Sequence, residues 1–204
     1  MAGINVGVDR YLGHSLTLDA HTRDLVQTLI TGQYYHQTLT HSSGVNYTIA
    51  ANRLYAVPFL VGRALTVDRI AIFLVTAGAA GKKARLGIYK DGTNMYPGTL
   101  VLDAGTVDVD GAGSTLLAIT ISQALTKGLH WLVLVSDGAP VVGGMYVAAA
   151  GQHLLTGVQT NLSSYNGCWY VAFTYAALPD PFTAAGSFLG GEQPTIAVRI
   201  LTLD

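Results

Sequence analysis

Charge is scarce in this chain of 204 residues. Only 11% of the residues are charged, 11 of them basic and 12 acidic, and the formal net charge is −1. An average soluble protein carries about 25% charged residues. No basic run exceeds the pair Lys82-Lys83, so the sequence offers no electrostatic footprint for nucleic acid, and we expect no nucleic-acid partner.

The scarcity of charge also bears on assembly. A monomer of this composition would expose a large uncharged surface, and burial against neighbouring copies would remove that surface from water. The composition therefore favours a homo-oligomer. A solvated exterior rich in Thr, Ser and Gly is the alternative.

Cysteine is nearly absent, and so are the signals for secretion and membrane insertion. Cys168 is the only cysteine, which excludes an internal disulfide and is compatible with assembly in a reducing cytoplasm. Its neighbours Gly167 and Trp169 indicate a buried, unreactive side chain. The N-terminus has no basic start followed by an apolar block, so the sequence predicts no signal peptide. No apolar run approaches the ~20 residues of a membrane helix, and we expect no membrane insertion.

The chain is rich instead in short β-prone runs separated by turns of Gly, Asp and Thr. Between Asn52 and Val135 no helical period interrupts this series, which predicts an antiparallel β-sandwich. Both faces of the run Leu65–Val75 are apolar, so we expect this strand to be central and covered on both sides. Proline and glycine predict a long loop over Leu178–Pro194. The predicted strands are Tyr34–Thr40, Tyr47–Ala51, Arg53–Leu60, Leu65–Val75, Ala84–Tyr89, Leu100–Val109, Ser114–Ser122, Gly128–Ser136, Cys168–Tyr175 and Thr195–Leu203.

The first 50 residues differ from the rest. Residues 1–18 are punctuated by glycine and are typical of an arm that becomes ordered on docking. Asp19–Ile30 is the one plausible helix, with Asp19 as its N-cap and a short apolar stripe. We therefore divide the chain into an N-terminal attachment arm with a short helix, residues 1–50, and a β-sandwich domain, residues 51–204.

Four sequence blocks carry a resemblance to a known family. They read LYAVPFLV, TVDRIAIFLVTAGAAGKKARLGIYKD, YPGTLVLDAGTVDV and ISQALTKGLHWLVLV. In this order they resemble a module of tailed-phage and prophage-like structural proteins of the tail-fibre, minor-tail or head-fibre type. The resemblance covers about Asn52–Ser136 and implies a jelly-roll-like β-sandwich within a virion protein. It brings no catalytic residues with it, because the shared blocks are strands and turns.

The residues offer little for catalysis or metal binding. The chain has no Gly-x-Ser-x-Gly elbow, Walker loop or zinc-protease motif. Glu192 is the only glutamate, whereas glycosidases need two nearby carboxylates, so we predict no enzymatic activity and no cofactor. The six histidines form no tight ligand pair. Histidines from several subunits around a symmetry axis are one metal alternative. Calcium is another, at Asp103, Asp108 and Asp110, because an Asp-x-Asp loop can bind it. These aspartates also fit a turn that needs no metal.

Aromatic residues in the C-terminal third are the better candidates for ligand binding. Tyrosine and tryptophan rings stack on the apolar faces of sugars, and polar loop residues add hydrogen bonds. Tyr165 lies in the polar loop TNLSSYNG. For Trp169 we favour a packing role. The predicted glycan-binding surface comprises Tyr146, Tyr165, Asn166 and Tyr170.

Together these features predict a non-enzymatic phage virion protein, located in the virion and assembled in the host cytoplasm. We expect a short fibre, spike or tail-tip component, since no heptad stalk is present. A trimer is the favoured oligomer, residues 1–50 would bind other virion proteins, and the sandwich would recognise a host cell-surface polysaccharide. One alternative is a capsid decoration or cement protein with a purely architectural role. The other is a bacterial carbohydrate-binding module, for which the sequence provides neither a catalytic neighbour nor a secretion signal.

Overall fold

The computed structural model describes residues 29–36, 42–146 and 166–203, and this part of the chain is all-β. Thirteen strands form two antiparallel sheets that pack face to face, so the predicted antiparallel β-sandwich is confirmed. In chain order the strands are β1 (Tyr34–Tyr35), β2 (Ser42–Thr48), β3 (Arg53–Val61), β4 (Leu65–Thr76), β5 (Lys83–Asp91), β6 (Pro97–Asp108), β7 (Thr115–Leu125), β8 (Gly128–Ser136), β9 (Val141–Tyr146), β10 (Asn166–Ala172), β11 (Ser187–Gly190), β12 (Glu192–Pro194) and β13 (Ala197–Leu203).

The two sheets differ in regularity. Sheet B is a simple six-stranded ladder in the order β11-β10-β3-β8-β5-β6. Sheet A has seven strands and is organised around β4, which pairs with β7 on one side. On the other side β4 pairs with β13 along its first half and with β9 at its end. The strand is therefore central in its sheet, as its apolar sequence predicts.

The core between the sheets follows the two-residue period of the strands. In β4 the side chains of Ile70, Ile72 and Leu74 point inward and are at most 2% exposed. In β5 the alternate residues Leu86 and Ile88 meet them from sheet B. β4 bulges against β13, where Val67 and Arg69 pair with the consecutive residues Ile200 and Arg199. The extra residue shifts the alternation by one, so that Val67 and Ile70 both face the core.

The outer face of sheet B carries a second hydrophobic core. Tyr89 and Trp131 lie on this face and are completely buried. Leu178 and Phe182 cover them from the loop between β10 and β11, residues 173–186. The Tyr89 and Phe182 rings meet edge to face with centroids 5.3 Å apart. We call residues 173–186 the covering loop.

The outer face of sheet A lacks such a cover among the residues that the structure describes. Phe73 is 45% exposed and Leu116, its direct neighbour across the β4–β7 ladder, is 48% exposed. Among the described residues the outer face of β4 is therefore only partly covered. The expectation that β4 is covered on both sides stays a prediction.

The observed strand boundaries differ from several of the predicted element boundaries. The long loop predicted over Leu178–Pro194 is wrong in its second half, because Ser187–Gly190 and Glu192–Pro194 are strands. The predicted helix falls on residues outside the described ranges, except for Leu29 and Ile30, which are not helical. The sandwich begins before residue 51, since β1 and β2 belong to sheet A and Ile49 is fully buried in the core.

Candidate functional site: an aromatic pocket and an apolar sheet face

A surface pocket of about 360 Å³ opens on the outer side of sheet B. Its floor and walls come from three places in the chain. β10 contributes Trp169, the turn between β5 and β6 contributes Thr93, Asn94 and Tyr96, and the end of the covering loop contributes residues 184–186. We call this site the aromatic pocket.

Local sequence explains how Trp169 reaches this position. In the ladder Trp169 lies between Ala56 of β3 and Phe188 of β11. The small Ala56 side chain leaves room for the indole, and Phe188 stacks on it with centroids 3.6 Å apart and planes 26° apart. The indole Nε1 donates a hydrogen bond to the carbonyl oxygen of Met95, at 2.8 Å.

The turn that carries Thr93, Asn94 and Tyr96 requires an unusual backbone. Asn94 and Met95 both have φ near +55°, a region in which asparagine is tolerated better than most residues. The Tyr96 hydroxyl then donates to the carbonyl oxygen of Thr183, at 2.6 Å, and accepts from the amide of Gly186, at 2.9 Å. These bonds tie the turn to the covering loop and fix the Tyr96 ring, which meets Trp169 edge to face.

Gly186 is required where the covering loop passes Tyr96. A β-carbon at this position would lie 2.7 Å from the Tyr96 hydroxyl oxygen and 3.2 Å from the carbonyl oxygen of Tyr170. The close approach of backbone and ring therefore depends on the absence of a side chain.

The second candidate site is an apolar groove of about 370 Å³ on the outer face of sheet A. Phe73 and Leu116 form its prominent walls, and small residues such as Gly143, Gly144 and Ala197 leave the space between them. None of the described residues that line it is charged. We call this site the sheet A groove.

Beside the groove the Asp68 carboxylate forms ion pairs with two arginines, Arg199 and Arg69, and the Arg69 guanidinium lies 3.7 Å from it. The Arg199 guanidinium donates two hydrogen bonds to the Asp68 carboxylate, one of them from Nε at 2.8 Å. Hydrogen bonding to Arg199 lowers the pKa of Asp68, and the same contact raises the pKa of Arg199. The three side chains carry one negative and two positive charges, so Asp68 compensates only part of the positive charge at this place.

The four residues predicted as a glycan surface are not brought together by the described structure. Tyr170 points to the opposite face of β10 from Trp169, where the Arg53 guanidinium lies 4.6 Å from its ring centroid. Asn166 and Tyr146 are described only as backbone, in the ladders with Gly190 and Glu192 respectively. Tyr165 lies outside the described residues. The prediction for these residues stays a prediction.

The three aspartates considered for calcium each have a protein partner. Asp103 accepts a hydrogen bond from the Arg85 guanidinium at 2.6 Å, and Asp108 pairs with the Lys83 ammonium. Asp110 accepts from the amide of Gly81. Within residues 29–36, 42–146 and 166–203, no group of three or more His, Cys, Asp or Glu residues is arranged to hold a metal ion.

Two further side chains with reactive groups, Cys168 and His130, are buried. Burial raises the pKa of Cys168, in agreement with the unreactive thiol that the sequence indicates. Burial likewise lowers the pKa of His130, whose Nδ1 lies 3.3 Å from the carbonyl oxygen of Gly128. In the part of the chain that the structure describes, no helix is long and apolar enough to cross a membrane.

Comparison with known proteins adds no family assignment. The chain matches no protein-family model, and no curated protein matches it either.

Sequence reasoning missed most of the aromatic pocket. Trp169 has a packing role, as predicted, but it also lines the pocket, and Tyr96 was not considered at all. The available signal was the strong turn after β5, in which Asn94 can adopt a left-handed conformation. Nothing in the local sequence indicates that this turn meets the covering loop about 90 residues later.

Proposed function

We propose that the protein is a non-enzymatic structural component of a tailed-phage or phage-like particle, in which the β-sandwich packs against neighbouring copies through the sheet A groove. The phage assignment comes from the sequence blocks of Asn52–Ser136. The mode of assembly comes from the groove itself.

The observation that carries the proposal is the directly opposed pair Phe73 and Leu116. Each of these large apolar side chains is nearly half exposed in the described chain, at the centre of an otherwise small-residue face. Burying such side chains removes apolar area from water at about 25 cal/mol per Å². Contiguous exposed apolar surface of this kind marks an interaction site more often than a solvated exterior.

A second copy of the same chain is the occupant that the charges favour. Identical faces brought together around a symmetry axis present identical charges to each other, and like charges oppose contact. Here the described residues that line the groove are uncharged, and the ion-paired cluster of Asp68, Arg69 and Arg199 lies beside the lining and not in it. Copies can therefore meet through the groove without burying a charged side chain of its described lining. A trimer is the expected product.

The test is the molar mass of the full chain and of one groove variant, measured by light scattering across a concentration series. The wild type should be a trimer of 21.4 kDa subunits. The substitution Leu116→Ser should weaken association at least tenfold, which corresponds to about 1.4 kcal/mol. Because Leu116 is exposed within the described chain, the change should leave the fold intact.

Leu201→Ser is the matched control. Leu201 is also 48% exposed and lies in sheet A, but it does not line the groove. This variant should assemble like the wild type. A wild type that stays monomeric at micromolar concentration, or a Leu116→Ser variant with unchanged mass, would contradict assembly through the groove.

The particle assignment needs a separate experiment. Phage-like particles purified from the source should contain this chain in multiple copies, and imaging particles with and without it should show a density that disappears. Particles that lack the chain would overturn the virion proposal without affecting the groove measurement.

A recognition role is the second candidate function, because the aromatic pocket lies on the outer side of sheet B, away from the sheet A groove. A copy that assembles through sheet A would keep this pocket open to solvent. A capsid decoration or cement protein needs no such pocket, so ligand binding separates recognition from a purely architectural role.

A further inference from the structure

The aromatic pocket has three properties of a built ligand site, and they hold independently of the phage assignment. Its volume of about 360 Å³ lies at the lower end of the range for small-molecule sites. It is concave and open to the surface. Its walls come from three separate segments of the chain, β10, the turn after β5 and the covering loop.

The rings that line the pocket are held in place without a ligand. Trp169 is fixed by its stack on Phe188 and by the hydrogen bond to Met95. Tyr96 is fixed by two hydrogen bonds to the covering loop. Rings that are already positioned lose little conformational freedom on binding, so more of the contact energy remains for affinity.

The lining selects the chemical class of the ligand. It contains no charged side chain, which disfavours phosphates, carboxylates and other ions. It combines two aromatic rings with the hydroxyl of Thr93 and the amide of Asn94, both on exposed residues at the rim. A pyranose ring has matching features, because one face of apolar C–H groups can stack on an aromatic ring while its hydroxyls meet polar groups.

We infer that the aromatic pocket binds one neutral pyranose unit of a polysaccharide, with Trp169 and Tyr96 contacting the sugar face and Thr93 and Asn94 hydrogen-bonding its hydroxyls. This inference deepens the recognition role stated under Proposed function. It moves the recognition surface to residues other than Tyr146, Tyr165, Asn166 and Tyr170.

The intrinsic fluorescence of the full chain reports on this site. The chain has two tryptophans, and Trp131 is completely buried in the second core, so a ligand in the pocket should perturb Trp169 selectively. The probes are neutral monosaccharides and their disaccharides: glucose, galactose, mannose and N-acetylglucosamine. At least one should give a saturable change with a dissociation constant on the order of 1 mM, typical of a small ligand of this size.

Three pocket variants test the assignment. Trp169→Phe keeps an apolar ring and should weaken sugar binding about tenfold, read by calorimetry because the reporter is lost. Asn94→Gly removes the amide while suiting the positive φ, and Thr93→Val removes the hydroxyl at nearly constant volume. Each of these should weaken binding about threefold to tenfold.

Thr99→Val is the matched control, because Thr99 is an exposed threonine nearby that does not line the pocket. It should bind the sugar like the wild type. A far-ultraviolet circular dichroism spectrum unchanged from the wild type establishes that each variant is folded. All four variants should assemble like the wild type, since the sheet A groove is untouched.

Three results would overturn the inference. One is the absence of a response to every neutral sugar. Another is sugar binding that survives Trp169→Phe, Asn94→Gly and Thr93→Val unchanged. The third is binding of a proline-rich peptide in place of sugars, since proline rings also stack on aromatic side chains. If the pocket binds no sugar but Leu116→Ser still dissociates the oligomer, assembly stands and recognition at this pocket does not.

Discussion

The outer faces of the two sheets both carry large apolar side chains. Those on sheet B are buried, whereas those on sheet A are partly exposed. On sheet B, alternate residues such as Tyr89 and Trp131 turn away from the inter-sheet core and are nevertheless completely buried. On sheet A, Phe73 and Leu116 turn outward in the same way and remain nearly half exposed. Among the described residues, the difference lies in the covering loop, which packs on sheet B and has no counterpart on sheet A.

The covering loop is tied to sheet B by polar contacts as well as by packing. The Tyr89 hydroxyl donates to the carbonyl oxygen of Pro179, and the amide of Leu178 donates to the Asp103 carboxylate at 3.0 Å. The amide of Phe182 donates to the carbonyl oxygen of Gly98 at 2.9 Å. The apolar side chains of a face that is covered in this way are buried by the same chain and need no second copy. The contrast with sheet A is the reason for assigning its face to assembly.

The largest expected effect comes from truncating a ring on the covered face. Trp131→Ala should lower the free energy of unfolding by about 3–5 kcal/mol, because it opens a cavity and leaves the Asp91 carboxylate without its indole partner. Phe73→Ala on the open face should cost less than about 1 kcal/mol in the monomer, since part of the ring is already in water. Urea denaturation at low protein concentration measures both values.

Equal costs for these two substitutions would contradict the comparison. A costly Phe73→Ala at low concentration would mean that the ring is buried by part of the same chain. A cost that appears only at high concentration would instead place a second copy over it, since association adds to apparent stability by mass action.

A smaller effect is expected where the covering loop is anchored. Tyr89→Phe removes only the hydroxyl that donates to the carbonyl oxygen of Pro179. The free energy of unfolding should fall by about 1 kcal/mol, because the carbonyl oxygen then forms a hydrogen bond with water instead. Amide hydrogen exchange should become faster in the covering loop and stay unchanged in β4 and β7. Faster exchange in both regions would show that the loop and sheet A unfold as one unit, which would weaken the distinction between the two faces.

The sequence predicts the sandwich well because strand alternation is a local property. The boundaries of β3, β4, β5 and β8 differ from the predicted ones by at most two residues. The same pattern could not predict which outer face is covered. The outer face of β4 is apolar in sequence and partly exposed, whereas the outer face of β5 includes Arg85 and Gly87 beside the fully buried Tyr89. The answer depends on contacts between residues about 80–90 apart, such as Tyr89 with Pro179.

The candidate sites were less predictable than the fold for the same reason. Composition pointed to aromatic residues, and the predicted surface of Tyr146, Tyr165, Asn166 and Tyr170 stays a prediction. However, whether Trp169 lines a pocket depends on Ala56 beside it, on Phe188 across the ladder and on the distant turn at Asn94. No sequence period encodes that meeting of three segments.

The smallest expected effect concerns the ion pair beside the sheet A groove. Hydrogen bonding to Arg199 lowers the pKa of Asp68 in the folded chain relative to the unfolded one. Its contribution to stability is therefore fully present above the unfolded pKa of about 4 and is lost as the pH falls through the lower folded pKa. In the Asp68→Asn variant the free energy of unfolding should therefore fall less steeply below about pH 4. At pH 7 it should differ from the wild type only by the small contribution of a surface ion pair.

Asp108→Asn is the control for this measurement, because the Asp108 carboxylate pairs with Lys83 but its side chain is largely exposed. This substitution should leave the fall in the free energy of unfolding at acid pH nearly unchanged. If copies meet through the groove, protonation of Asp68 would also leave the Arg199 charge uncompensated beside the contact, so the oligomer should dissociate as the pH falls and Asp68→Asn should already be weakened at neutral pH. If neither the fall in pH nor Asp68→Asn changes the association constant, the contact between copies lies away from this edge of sheet A.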